Sequence, residues 1–307
     1  MILVADPFVG IAHMLALPFM RDALLAGGAI ALAAGLVGYF VVLRSQVFSV
    51  DALSHVAFTG ALAALAIGAD LLVGLYAACV AVALVMGILG SKGRPDDTVI
   101  GSVFAWILGL GALFLTIYTT SSRGTDATSG ISVLFGSIYG LSGGQALSDA
   151  LVALGVALAL CAIARPLLFS SVDGAVAGAR GVPVRSLGLG FLVLVGVTAA
   201  AATQAVGALL LLGLVATPAG TAQRLTARPF VGMWLSGGIA VASMWIGLGL
   251  AYAFPSLVPS FSILAVATSS FLVSSVLGAA RSFIIRRRMP APSLARRAAR
   301  SIATEPR

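Results

Sequence analysis

The chain has 307 residues, of which 60% are hydrophobic and only 9% charged, with a formal net charge of +8. Soluble domains carry about 25% charged residues, so this composition belongs to a membrane protein. It excludes an aqueous enzyme and a nucleic-acid binder, because the basic residues sit in short connections and in the tail.

Residues 1–22, with Phe8, Met14, Phe19 and two prolines, read as an interfacial segment on the outer face. The start MILVADPFVG lacks a basic stretch and carries an early Asp6-Pro7, so no cleavable signal peptide is expected. His13 lies here and reads as a wetted side chain rather than a ligand. A membrane domain follows over 23–285. A bilayer crossing needs about 20 apolar residues, and such runs cover 23–43, 52–70, 71–90, 98–119, 146–164, 187–204, 205–222, 231–253 and 261–284. The expected fold is therefore an all-α polytopic transmembrane bundle of about nine spans. The pairs 52–70/71–90 and 187–204/205–222 have almost no polar break, so eight or ten spans fit the same pattern.

If the turn containing Arg44 is cytoplasmic, alternation places Lys92, Arg94, Arg165, Arg180, Arg185, Arg224, Arg228 and the residues from Arg281 on the same side. Only Arg21 and Arg123 fall outside, which puts the N-terminus outside and the C-terminus in the cytoplasm. The basic, Pro/Ala-rich tail 286–307 reads as a disordered arm lying on anionic membrane lipid. Cys79 and Cys161 sit in apolar runs and read as packing residues.

Asp51 and His55 stand four residues apart inside an apolar run, one helical turn from each other on one face. An intramembrane acid costs about 2.5–3.5 kcal/mol on insertion scales, so it faces a cavity, a partner or a ligand. A carboxylate oxygen and an imidazole nitrogen suit Zn²⁺ or Mn²⁺, with zinc placed ahead of manganese. Two ligands do not close a site, and two copies across a central axis would supply four. The competing reading makes Asp51 the cap of a helix starting after Val50, with His55 bonding a neighbouring helix. Asp96-Asp97 and Asp149 read as helix-start acids, and Asp70 as a solvated boundary residue.

Residues 87–93, GILGSKG, fail the G-x-x-x-x-G-K-[ST] spacing of a phosphate loop, so any ATP would be bound by another polypeptide. No H-E-x-x-H or G-x-S-x-G motif marks a membrane enzyme. A proton-coupled secondary metal transporter remains an alternative, since intramembrane Asp and His also relay protons.

Five stretches, in order, together resemble the membrane permeases of ABC importers for zinc, manganese and related metal ions. GYFVVLRSQVFSVDALSHVAFTGALAA (38–64) is similar to that family's arginine, short turn and D-x-x-x-H-x-x-x-x-G, here Arg44, Asp51, His55 and Gly60. DDTVIGSVFA (96–105) resembles its acid-acid helix start, and LFGSIYGLS (134–142) its L-F-G element, with Ser137 where many members carry aspartate. FSSVDGAVAGARGVP (169–183) resembles D-x-x-x-A-x-x-x-G-V, here Asp173, Ala177, Gly181 and Val182, and VGALLLLGLVATPAGTAQRLT (206–226) resembles the V-G-x-x-L…P-A-x-x-A element.

The resemblance implies that Asp51 and His55 form the metal site in the translocation path. It implies that Asp173, Ala177, Gly181 and Val182 belong to a segment seated in a groove of an ATPase subunit. It also implies a permease homodimer, two cytoplasmic ATP-binding subunits and an extracellular metal-binding solute protein. On this reading the chain holds no resident cofactor, carries zinc or manganese inward, and is not itself an enzyme.

Overall fold

Long runs of Ala, Leu, Val and Gly fold as helices here because lipid offers no partner to an unpaired amide. A computed structural model of the chain describes residues 13–91, 93–120, 136, 138–208 and 211–288, with side chains as far as 278. In order, the helices are α1 Pro18–Leu43, α2 Val47–Ile67, α3 Leu71–Leu89, α4 Asp97–Thr120, α5 Gly143–Val172, α6 Gly174–Ala179, α7 Val184–Val206, α8 Leu211–Leu225, α9 Pro229–Ala253 and α10 Pro259–Arg288. Among the described residues eight of these are long and apolar enough to cross a membrane, and α6 and α8 are not among them. The described residues form no strand. Residues 1–12, Lys92, Arg123, Ser137 and the tail beyond Arg288 lie outside the described residues.

The run at 205–222 differs from its expectation. Its helix, α8, has 15 residues, about 22 Å of length against a hydrocarbon core of about 30 Å. The chain leaves α7 at Gly207, whose φ is +89°, and the backbone of 205–207 passes so close to Gly136 that a Cβ there would lie 2.5 Å from the Ala205 carbonyl oxygen.

Helix α1 is the hub. It packs against α5, α7, α8 and α9, while α2 packs against α3, α4 and α7, and α10 against α8 and α9. Exposed Trp106, Leu113, Leu158, Trp245, Leu272 and Val276 give the outer surface an apolar face suited to lipid. Some helix starts are capped by a side chain. Asp70 accepts from the amides of Leu72 and Val73, and Asp96 from Val99.

One end of the bundle is rich in arginine. Arg44 donates to Gln46 Oε1 and Ser171 Oγ, Arg94 donates to the Ser170 carbonyl, and Gln223 donates to the Tyr39 carbonyl. These contacts bring the turns 44–46, 90–96, 173–183 and 226–228 to the same end. Gly93, with φ +72°, lets its turn lie on the start of α7, where a Cβ would stand 2.5 Å from the Arg185 carbonyl oxygen. Burial, and then the neighbouring Arg94 guanidinium, pull Arg44 down to about 10. The Phe191 ring lies 5.2 Å from the Arg44 guanidinium and supplies part of its compensation.

Candidate functional site

Helix α2 begins at Val47 with Gln46 at its N-cap. Asp51 is therefore inside the helix, in its second turn, and the capping reading of this residue does not hold. Most of α2 is buried, but Phe48, Asp51, His55 and Phe58 form a stripe that is exposed or half-buried. Their spacing of three and four residues is that of a single helix face. Asp51 and His55 thus share the less buried face of α2.

Neither the Asp51 carboxylate nor the His55 ring nitrogens make a hydrogen bond among the described residues; the serine that follows, Ser54, donates to the Asp51 backbone carbonyl instead. The His55 ring is set by an edge-on contact with Phe104 of α4, centroids 5.2 Å apart and planes at 65°. One turn further along, Thr59 donates to the Ile107 carbonyl at 3.2 Å, pinning α2 to α4. On its other side α2 is held by a glycine contact, since Gly60 and Gly74 face each other closely enough that a Cβ on either would reach 2.5 Å from the other's carbonyl oxygen. The pair is mounted on a helix fixed from two sides. Sequence reasoning named Asp51 and His55 but not Phe104 or Thr59, although Phe104 falls within the DDTVIGSVFA stretch.

Among the described residues no group of three or more His, Cys, Asp or Glu side chains could hold a metal ion. Asp51 and His55 within one chain are therefore two ligands of an incomplete set.

The second expected site is the segment after α5. Asp173 caps α6, accepting from the amides of Ala175 and Val176, both at 2.9 Å. Gly181 has φ +81° and turns the chain into α7. Val182 donates its amide to the Ala177 carbonyl at 3.1 Å. Ala177 is fully buried against its own chain, whereas Val172, Ala175, Val176 and Gly178 are exposed. A cavity of about 530 Å³ lies beside them, lined in part by Gly90, Gly178, Val182 and Arg185.

Asp149 departs from its reading as a helix-start cap. Helix α5 starts six residues earlier, and its cap is Ser142, which exchanges bonds with Gln145 in a capping box. Asp149 is instead 3% exposed inside the bundle, and its Oδ2 has no hydrogen-bond partner.

Eight membrane-length helices among the described residues define a polytopic helical membrane protein. The chain belongs to the ABC 3 transport family, which it matches over residues 16–278. It is a multi-pass protein of the bacterial plasma membrane. It is 31% identical to the manganese transport system membrane protein MntC of Halalkalibacterium halodurans over 77% of this chain and 80% of that one. It is 30% identical to the manganese import system permease protein ScaB of Streptococcus parasanguinis, covering 83% and 89%. Among solved structures it resembles PsaBC from Streptococcus pneumoniae in complex with Fab, with a TM-score of 0.74 and 26% identity over 86% of this chain and 94% of that one.

Proposed function

We propose that this chain is the permease subunit of an ATP-driven importer of divalent transition metal ions. The observation that carries the reading is the Asp51–His55 pair, unpaired and facing out of the buried side of α2. The proposed assembly is a homodimer in which the two α2 stripes face each other, so that two carboxylates and two imidazoles surround one ion. Carboxylate oxygen holds manganese, and neutral imidazole serves manganese and zinc alike. Manganese is the first substrate because MntC and ScaB are named for it; zinc is the competitor because the His/Asp donor set suits it.

The arginine-rich end is assigned to the cytoplasm by the positive-inside rule. Two ATP-binding subunits dock there on the segment from Val172 to Val182, with Asp173, Gly181 and Val182 shaping it and buried Ala177 seating it on the protomer. A metal-binding solute protein delivers the ion at the opposite end. Closure of the ATPases shifts the bundle between outward and inward openings around the site.

The test is metal uptake by vesicles holding the permease with its ATPase. Manganese uptake should require ATP and the ATPase, and a proton gradient alone should drive none. Uptake by the permease alone under a proton gradient would refute the ATP-driven reading in favour of a secondary transporter. Competition between manganese and zinc in the same vesicles ranks the two ions.

A further inference from the structure

A groove runs between α1 and α9 at the end of the bundle opposite the arginine-rich turns. Its volume is about 830 Å³, and its walls include Met14, Arg21, Leu25, Trp245, Gly249 and Ala253. Arg21 stands in the first turn of α1 and Arg44 follows its last residue, so the two mark opposite ends of one helix.

Helix register gives the groove its length. A Cβ on Gly35 would stand 2.7 Å from the Ser236 carbonyl oxygen, and one on Gly28 would stand 2.9 Å from Trp245 Nε1. Helices α1 and α9 therefore run antiparallel, and Ala253 comes close to the level of Arg21. Trp245 Nε1 donates to the Leu24 carbonyl at 3.2 Å, which lays the indole against α1 at the deep end of the groove. Trp245 and Ala253 are eight residues apart on α9, about 12 Å of helix. Half of a hydrocarbon core is about 15 Å. The groove thus reaches down one leaflet, a length that suits an acyl chain and is too short for a membrane-spanning helix of a partner.

Charge narrows the occupant further. Among the described residues that line the groove, Arg21 alone is charged. It is exposed, and its guanidinium makes no hydrogen bond or ion pair among the described residues. The adjacent acid, Asp22, faces the start of α5 instead, where a Cβ on Gly143 would stand 3.4 Å from Asp22 Oδ2. A free guanidinium at the mouth of an apolar groove complements an anionic headgroup on an apolar tail. Its planar fork matches phosphate oxygens. A zwitterionic headgroup carries its own cation, so an anionic one gains more from Arg21.

We propose that the α1–α9 groove is a binding site for an anionic phospholipid, with the phosphate on Arg21 and one acyl chain laid along Leu25, Gly249 and Trp245. The lipid fills the gap between the hub helix and α9 at this end of the bundle. The site is independent of the transport reading, since neither Asp51 nor His55 lines it.

The experiment is quenching of Trp245 fluorescence by brominated phospholipids in bilayers holding the purified full chain. Trp106 and Trp234, both exposed, are replaced by phenylalanine so that Trp245 reports alone. Brominated phosphatidylglycerol is titrated against brominated phosphatidylcholine. Half-maximal quenching is expected at about a fivefold lower mole fraction of phosphatidylglycerol, the preference that one arginine gives near an anionic surface. Arg21→Gln should bring that ratio to about one. Gly249→Phe places a ring where an added Cβ meets nothing within 4 Å, and it should abolish the preference with Arg21 intact. Should either variant fail to fold, the other still decides. A ratio of one in the single-tryptophan chain, a preference that survives both substitutions, or a Trp245 that neither lipid quenches overturns the site. The last result would give the groove to protein, a second copy of the chain or a partner.

Discussion

Replacing Gly60 by alanine tests how the site helix is held. Gly60 lies just over one turn beyond His55 on α2 and faces Gly74 of α3. An added Cβ would stand 2.5 Å from the Gly74 carbonyl oxygen and also meet the Ala78 methyl, whereas an ordinary contact starts at 3.4 Å. The helices must part by roughly 1 Å, because the Gly74 oxygen is backbone and cannot swing aside. Overpacking of this kind costs about 1–3 kcal/mol. The expected outcome for Gly60→Ala is a thermal midpoint lower by several degrees, with weakened Mn²⁺ binding because His55 shifts with its helix. Gly74→Ala disturbs the same contact, so the double variant should lose less than the sum of the two. Gly155→Ala is the control, since a Cβ there meets nothing within 4 Å, and it should hold or raise stability by about 0.5–1 kcal/mol. Midpoints are read by differential scanning fluorimetry on the purified chain. A Gly60→Ala midpoint equal to that of the parent, with unchanged Mn²⁺ binding, would refute the close α2–α3 contact as the mount of the site.

Phe104→Leu removes the edge-on ring contact, worth about 0.5–1.5 kcal/mol, and should weaken Mn²⁺ affinity by about 2- to 10-fold in a titration while leaving the fold intact. Arg44→Ala strips two hydrogen bonds and the stack on Phe191, and a drop of about 3 kcal/mol is expected in a denaturant melt. Arg44→Lys should recover less than half of it, because an ammonium lacks the planar fork. Gly178→Trp, at an exposed position with nothing within 4 Å of an added Cβ, should leave a monodisperse permease that no longer co-purifies with its ATPase. Unchanged association and uptake in that variant would remove the docking role of the segment.

Hydropathy made most spans legible because lipid forces every buried amide into a helix, and apolar length then suffices. It failed at 205–222, where no charged residue marks the break at Gly207 and the backbone conformation reveals it. The expected run 52–70 starts five residues inside α2 because Val47, Phe48 and Ser49 carry no start signal, and the cap position falls to Gln46, a residue with no side-chain cap bond. Asp149 was misread for a different reason. Ser142 and Gln145 stand in the S-x-x-Q spacing of a capping box, a signal present in the sequence that places the helix start before Asp149. The spacing of Asp51 and His55 put them on one face, and resemblance gave them a role. That their face is the unburied stripe of α2 depends on α3, α4 and α7 covering the others, which no local pattern encodes. Resemblance put Ala177 in the segment that meets an ATPase subunit, and its side chain is buried against its own chain.

The central claim is that Asp51 acts as a metal ligand. Because α2 starts at Val47, Asp51 has no capping duty, and Asp51→Asn changes charge while keeping shape and an oxygen. The decisive measurement is ATP-driven Mn²⁺ uptake by vesicles carrying the complex with this one substitution. The account predicts uptake at background level from a permease that inserts and binds its ATPase normally. Uptake at the parental rate would contradict it.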